Sequence, residues 1–138
     1  MMHAPTFNLF TTTGEIVRLE DYLGCNILIT FWASWCPDCG KDLPKKEQLF
    51  QSIDKNNVKM LTINVAGRER DKADGIAYAN KYLTQPTLLD NGREVYDAFQ
   101  CKGVPTTVLI NKRGIIVEKL DDQATMIEIV ESMGKHLL

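Results

Sequence analysis

The chain has 138 residues, of which 44% are hydrophobic and 25% are charged, and its formal net charge is −2 at pH 7. This length and composition predict one compact domain, residues 1–138, with a hydrophobic core of its own. The weakly acidic balance without a basic cluster argues against nucleic acid as a partner, and no apolar run has the length of a membrane span.

The N-terminal quarter predicts a β-hairpin followed by a central strand. Residues 6–10 and 15–19 are strand-like and flank Thr13-Gly14, a pair typical of a tight turn. A helical turn over residues 20–24 comes next. Residues 26–32 are apolar on both faces, which is typical of a strand buried in the middle of a sheet.

A long helix is predicted from Cys36 to about residue 56. Its apolar residues recur on one face: Leu43, Leu49, Phe50 and Ile53. Pro44 lies inside this run and is expected to kink the helix, because proline removes a backbone donor and crowds the preceding turn.

The second half alternates strands with helices. Strands are predicted at residues 58–65, 87–90, 106–110 and 115–120, and helices at about 73–83, 92–99 and 126–137. The last two strands flank Asn111-Lys112-Arg113-Gly114, which predicts an antiparallel hairpin. This order predicts an α/β fold with a mixed sheet covered by helices on both faces.

The most informative motif is Cys36-Pro37-Asp38-Cys39, between the central strand and the long helix. The free N–H groups and the positive dipole end of a helix stabilise an anion, so a sulfur placed there is held partly as thiolate. The thiolate is the form that attacks disulfides. A second thiol three residues later can displace whatever the first one captures, so the motif predicts dithiol–disulfide exchange.

A structural zinc site is the alternative explanation of this cysteine pair, and it needs two further ligands. The candidates are Cys25, Cys101, His3 and His136, and none of them forms a second ligand pair with suitable spacing. No metal is therefore predicted. Cys25 and Cys101 are interpreted as small packing residues, with Cys101 buried.

A second motif, Gly103-Val104-Pro105-Thr106-Thr107, places a proline directly before a predicted strand. The motif alone leaves two alternatives open: a trans proline that begins the strand, or a cis proline in a tight turn. In the cis case, backbone groups of Val104 would be free to pair with an incoming peptide strand.

Together these motifs resemble the thioredoxin superfamily, and in particular its TlpA/ResA-like thiol-disulfide oxidoreductases. The resemblance rests on residues 31–39, on Leu43-Pro44 and on residues 103–107, and it extends over nearly the whole chain. It implies the thioredoxin fold, a central mixed β-sheet with helices on both faces and an added N-terminal β-hairpin. It also implies that the Val104–Pro105 bond is cis and that no cofactor is needed beyond the cysteine pair.

The resemblance assigns roles to individual residues. Cys36 corresponds to the attacking thiol and Cys39 to the resolving thiol, Trp35 shields the pair, Pro37 and Asp38 are active-site neighbours, and Val104 and Pro105 bind substrate.

Two positions depart from the family pattern. Thr30 stands where typical thioredoxins have a buried aspartate. Many ResA-like proteins have a glutamate soon after the strand corresponding to residues 62–65, and Glu69 is displaced from that place by about two positions. Glu69 is a candidate proton-handling acid, and the alternative is a solvated carboxylate in a charged loop.

The predicted activity is reduction of protein disulfides through a mixed disulfide. The helix terminus stabilises a Cys36 thiolate by about 0.3–1 kcal/mol. The charge of Asp38 opposes this by roughly 1 kcal/mol. Because the two effects nearly cancel, a reductase is favoured over a disulfide donor. A thiol peroxidase is less favoured, since Ala33 stands where such enzymes carry a threonine, and so is a structural zinc-binding domain.

The expected partners are a disulfide-containing protein substrate and an upstream thiol reductant, which the resemblance allows to be membrane-embedded; the protein is expected to be a monomer. The N terminus has no basic segment followed by an apolar stretch, so the chain as written is expected to be cytoplasmic. The resemblance implies an exported or membrane-anchored protein if a leading segment was trimmed.

Overall fold

The computed structural model describes residues 2–137 and contains an eight-stranded mixed sheet with helices on both faces. The strands are β1 (Met2–His3), β2 (Asn8–Thr11), β3 (Ile16–Arg18), β4 (Asn26–Trp32), β5 (Val58–Asn64), β6 (Thr87–Leu89), β7 (Thr106–Ile110) and β8 (Ile115–Leu120). The helices are α1 (Pro37–Ser52), α2 (Lys72–Tyr82), α3 (Glu94–Ala98) and α4 (Met126–His136), with short 3-10 turns at Leu19–Tyr22 and Ala66–Arg68. Within residues 2–137, no helix is both long and apolar enough to cross a membrane.

The strand order across the sheet is β1-β8-β7-β4-β5-β6-β2-β3. The β4–β5 and β5–β6 pairs are parallel and the remaining pairs are antiparallel. The mixed sheet predicted from the sequence is therefore confirmed. The predicted N-terminal hairpin is β2–β3, and it extends the sheet at one edge by pairing with β6.

Strand β4 is central, and all seven of its residues are buried. Alternate side chains point to opposite faces of a strand. Ile27, Ile29 and Phe31 enter the larger core, which also receives residues of α2, α3 and the start of α1. Leu28 enters a smaller core, where α4 and the second half of α1 pack. Burial on both faces explains why β4 reads as a continuous apolar run.

Helix α1 ends at Ser52, about four residues earlier than the sequence predicted. Ile53 is already extended, with φ −78° and ψ 149°. The Asp54 side chain then accepts a hydrogen bond from the N–H of Asn56 at 2.9 Å, and the Asp54 carbonyl accepts from Asn57. Aspartate favours such a local turn over continued helix. Pro44 lies within α1, and the kink expected there stays a prediction.

Strand β1 was not anticipated from the sequence, because two residues carry no measurable periodicity. Met2 and His3 pair with Ile116 and Ile115 of β8. They form the edge of the sheet opposite the β2–β3 hairpin. The two predicted hairpin turns are present, and their glycines have positive φ: +88° at Gly14 and +77° at Gly114. These values favour glycine, since other residues are strained in that region.

Gly75 provides a test of how closely α2 packs on the sheet. A Cβ at this position would come within 2.7 Å of Asn64 Nδ2, on the end of β5. We therefore expect Gly75→Ala to lower the free energy of unfolding by about 1–3 kcal/mol through overpacking, despite the better helix propensity of alanine. Urea denaturation measures this change. The matched control is Gly134→Ala in α4, where a Cβ meets nothing within 4 Å and should stabilise the protein slightly; equal effects at the two sites would contradict the packing argument.

Candidate active site

The two motif cysteines lie at the N-terminus of α1, directly after β4. Cys36 is the N-cap residue, Pro37 is the first helical residue, and Cys36 Sγ accepts a hydrogen bond from the N–H of Cys39 at 3.2 Å. Proline suits this position because the N–H it lacks would have no partner inside the helix. The sulfur of Cys36 thus occupies the place where a helix stabilises negative charge.

Cys39 is the less accessible thiol of the pair. Its residue is 1% exposed, whereas Cys36 is 6% exposed. Burial raises the pKa of Cys39 far above its usual range, and the hydrogen bond to Cys36 and the negative charge of Asp42 act in the same direction. Cys39 therefore stays protonated at neutral pH, which fits an attacking thiol at 36 and a resolving thiol at 39.

The predicted proline loop lies against the cysteine pair. The Val104–Pro105 peptide bond is cis, as the resemblance implied. Cys36 Sγ donates to the carbonyl oxygen of Val104 at 3.4 Å. A carbonyl in this position favours the protonated sulfur, whereas the Cys39 N–H favours the thiolate.

Trp35 stands out from the surface beside Cys36 and is 53% exposed. Its indole N–H donates to the carbonyl of Arg68 at 2.6 Å. The Arg68 guanidinium lies 5.7 Å from the ring centroids of both Trp35 and Tyr96, and it donates to the Tyr96 hydroxyl at 2.9 Å. These contacts hold Trp35 along one wall of an open groove of about 620 Å³ that Arg70 also lines.

Glu69 braces the segment that precedes Cys36. Its carboxylate accepts hydrogen bonds from the N–H of Ser34 at 2.7 Å, from the Ser34 hydroxyl at 2.6 Å and from Asn64 Nδ2 at 2.7 Å. Glu69 is therefore an ordered carboxylate, and these contacts join the loop after β4 to the end of β5. They favour a positioning role; the proton-handling role stays a prediction.

Sequence reasoning missed a buried ion pair on α1, formed by Asp42 and Lys46. Lys46 is 0% exposed, and its Nζ lies 3.1 Å from Asp42 Oδ2, 2.9 Å from Thr30 Oγ1 and 2.8 Å from Thr107 Oγ1. Burial lowers the pKa of Lys46, and the charge of Asp42 opposes that effect. The signal was present: Lys46 follows Leu43 by three residues, so it falls on the apolar face.

The remaining cysteines lie apart from this chemistry. Cys101 is buried as predicted, and burial raises the pKa of its thiol to about 12. Cys25 is half-buried, and all four cysteines are free thiols. Within residues 2–137, no three His, Cys, Asp or Glu side chains are grouped so as to hold a metal ion.

Two buried cysteines at a helix N-terminus, beside a cis-proline loop on a mixed sheet, define a thiol-disulfide oxidoreductase with the thioredoxin fold. The comparison with protein families agrees, since the AhpC/TSA family matches residues 2–119. The chain belongs to this family and, within it, to the ResA-like thiol-disulfide oxidoreductases.

Individual relatives support this assignment. The chain is 31% identical to the thiol-disulfide oxidoreductase ResA of Geobacillus kaustophilus over 135 residues, which is 97% of this chain and 74% of the relative. StoA from Bacillus subtilis superposes with a TM-score of 0.77 at 28% identity, covering 94% of this chain and 97% of that one. The exposed lipoprotein thioredoxin of Streptococcus pneumoniae gives a TM-score of 0.83 at 26% identity, covering 95% and 99%.

The burial of the thiols predicts a selective alkylation pattern. Brief treatment of the reduced protein with iodoacetamide should modify Cys36 at least about tenfold faster than Cys39 or Cys101, because the thiolate is the reacting form. Peptide mass spectrometry after a second label in denaturant measures each site. Unfolded protein is the control, in which all four cysteines should react alike. Labelling of Cys39 or Cys101 as fast as Cys36 in folded protein would contradict the assignment.

Proposed function

We propose that this protein reduces disulfide bonds in protein substrates, with Cys36 as the attacking thiol and Cys39 as the resolving thiol. The observation that carries the proposal is the placement of Cys36 Sγ between the N–H of Cys39 and the carbonyl of Val104. The cysteine pair is proposed to be the only redox group.

The reaction consists of two exchanges. The Cys36 thiolate attacks one sulfur of the substrate disulfide, so that a Cys36–substrate disulfide forms and the other substrate sulfur leaves as a thiolate. Cys39 then loses its proton and attacks Cys36 Sγ, which forms the Cys36–Cys39 disulfide and releases the second substrate thiolate. Both released thiolates take up protons, and two electrons have passed from the dithiol to the substrate.

The direction of electron flow depends on how strongly the protein stabilises the Cys36 thiolate. A strongly stabilised thiolate makes a dithiol a disulfide donor, because it favours the reduced form. Here the Cys39 N–H favours the thiolate, but the Val104 carbonyl favours the thiol, and Asp38 adds a negative charge in the first turn of α1. These opposing contributions support a reducing protein.

Substrate binding is proposed along Trp35, Val104 and Pro105, the residues that surround Cys36. An extended segment of the substrate could pair with the backbone at Val104, and Trp35 could cover its side chains. An upstream thiol reductant would restore the dithiol after each cycle.

The protein is proposed to act as a monomer outside the cytoplasm, exported or membrane-anchored, with its reductant in the membrane. A relative described as an exposed lipoprotein supports this location.

Ala33 argues against the thiol peroxidase alternative. It is fully buried and lies three residues before Cys36, so that position offers no hydroxyl group to a bound peroxide. Peroxide consumption in the absence of any disulfide substrate would favour the peroxidase instead.

The reduction potential of the Cys36–Cys39 pair tests the proposed direction. Equilibration with dithiothreitol or glutathione, followed by alkylation and mass detection, should give a value near or below about −250 mV. The Cys25→Ser variant serves as a control that only the proposed pair is being titrated. A value above about −150 mV would make the protein a disulfide donor and reverse the proposed reaction.

Single-cysteine variants test the two roles. Cys39→Ser should accumulate a stable mixed disulfide with a model disulfide substrate, because nothing remains to resolve it, whereas Cys36→Ser should form none. Non-reducing mass spectrometry reads out both results. A mixed disulfide through Cys39 in the Cys36→Ser variant, formed at a comparable rate, would show that the roles are wrong.

A further inference from the structure

Lys46 is a fully buried lysine on α1, seven residues after Cys39. The side chain is 0% exposed, and its three hydrogen-bond partners are Asp42, Thr30 and Thr107. Lysine is almost never fully buried unless it is paired, and removing it from water is costly. Its presence at this place therefore calls for an explanation beyond packing.

The position of Lys46 follows from the geometry of α1. Cys39, Leu43 and Lys46 are the buried residues of the helix and lie on one face at offsets of four and seven residues. Side chains of a helix lean towards its N-terminus, so the ammonium group of Lys46 reaches back to Asp42, in the turn that follows Cys39.

The sheet beneath α1 holds the ammonium group in place. Thr30 of β4 and Thr107 of β7 are directly opposite each other in the antiparallel pair, and both hydroxyl oxygens lie within 2.9 Å of Lys46 Nζ. Asp42 supplies a third contact and is itself only 14% exposed. These three contacts hold the ammonium group of Lys46 in one place, beside the helical turn that follows Cys39.

A charge so held acts on the neighbouring thiol. A Cys39 thiolate would raise the pKa of Lys46, which is otherwise lowered by burial and raised by Asp42. Such coupling is reciprocal: if the Cys39 thiolate stabilises the ammonium ion, the ammonium ion stabilises the thiolate to the same extent. The proposed resolving step requires that thiolate, in a site whose burial strongly disfavours it.

Among residues 2–137, the other ionisable groups around the cysteine pair do not supply this positive charge. On α2, Tyr78 packs against the core cluster that contains Cys39, and the pKa of Tyr78 is raised by burial and by the charge of Cys39. Asp42 is bordered by a groove of about 220 Å³. The charged residues that line this groove are Asp38, Lys41, Asp42, Lys45, Asp121 and Asp122. Lys41 and Lys45 are exposed, so water screens their charges.

We propose that the buried ammonium group of Lys46 stabilises the Cys39 thiolate as it attacks the mixed disulfide, which makes Lys46 a positioning residue for the resolving step. Cys39 Sγ forms a bond to Cys36 Sγ, the bond between Cys36 and the substrate breaks, and the substrate leaves as a thiolate. Lys46 itself forms and breaks no bond in this step. The inference rests on the proposed roles of Cys36 and Cys39.

The chromogenic disulfide dithiobis(nitrobenzoate) separates the two steps in stopped flow when every variant also carries Cys25→Ser, which removes the half-buried thiol outside the pair. Attack by Cys36 releases one coloured thiolate, and attack by Cys39 on the resulting mixed disulfide releases a second. In Lys46→Met the second release near pH 7 should slow about tenfold, while the first changes less than about twofold. The pH profile of the second release should move to higher pH and reach the same plateau.

Control variants distinguish charge from packing. Lys135→Met makes the same chemical change at an exposed position of α4 and should leave both steps unchanged. Lys46→Arg should recover much of the second release, because it restores a positive charge. If Lys46→Met does not fold, as judged by circular dichroism, Lys46→Gln replaces it, since its amide can still contact Thr30 and Thr107.

The outcomes separate this inference from the proposed function. If Cys36→Ser and Cys39→Ser behave as proposed but a folded, uncharged variant at position 46 releases the second thiolate within twofold of the original rate, the role of Lys46 is overturned. An equal slowing of both releases, or a lower plateau rate of the second release at high pH, would also overturn the role of Lys46 and would indicate a packing role instead. If Cys39→Ser still releases two thiolates, the proposed roles of the cysteines fail instead.

Discussion

The active site depends on the burial of β4 on both faces of the sheet. Because every residue of β4 is buried, the strand cannot shift in register, and the chain leaves it at a fixed point. Helix α1 begins five residues later, so Cys36 becomes its N-cap and receives the N–H of Cys39. The N-cap position of the first thiol and the burial of the second are both consequences of this one junction.

The packing of α1 on β4 also gives hydrogen-bond partners to the buried threonines of the sheet beneath the helix. Thr30 and Thr107 interrupt the apolar surfaces of β4 and β7 at opposite positions, and Lys46 of α1 joins them. The ammonium group therefore connects the two buried hydroxyl groups with each other and with the Asp42 carboxylate in one hydrogen-bond network. Typical thioredoxins carry a buried aspartate at the position of Thr30. This chain has a hydroxyl group there, and the charged side chains of the network, Asp42 and Lys46, lie on α1.

Much of the fold could be predicted because β4 and the hairpins have strong local patterns. The cysteine pair was identifiable from its spacing, and the cis bond before Pro105 from the resemblance. Strand β1 was not predictable, since it is two residues long and exists only because β8 offers an edge. The contacts of Glu69 were equally hidden, because Ser34 lies 35 residues away along the chain.

The sequence by itself determined the chemistry, because two cysteines three residues apart between an apolar strand and a helix have one natural geometry. Only the tertiary structure decided how the charges around them are arranged. Lys46 sits on a helical face that sequence patterns treat as apolar, and its partners come from β4, from β7 and from its own helix. The effect of a charge depends on distance and on exclusion of water, and both are set by packing between segments that are remote in the chain.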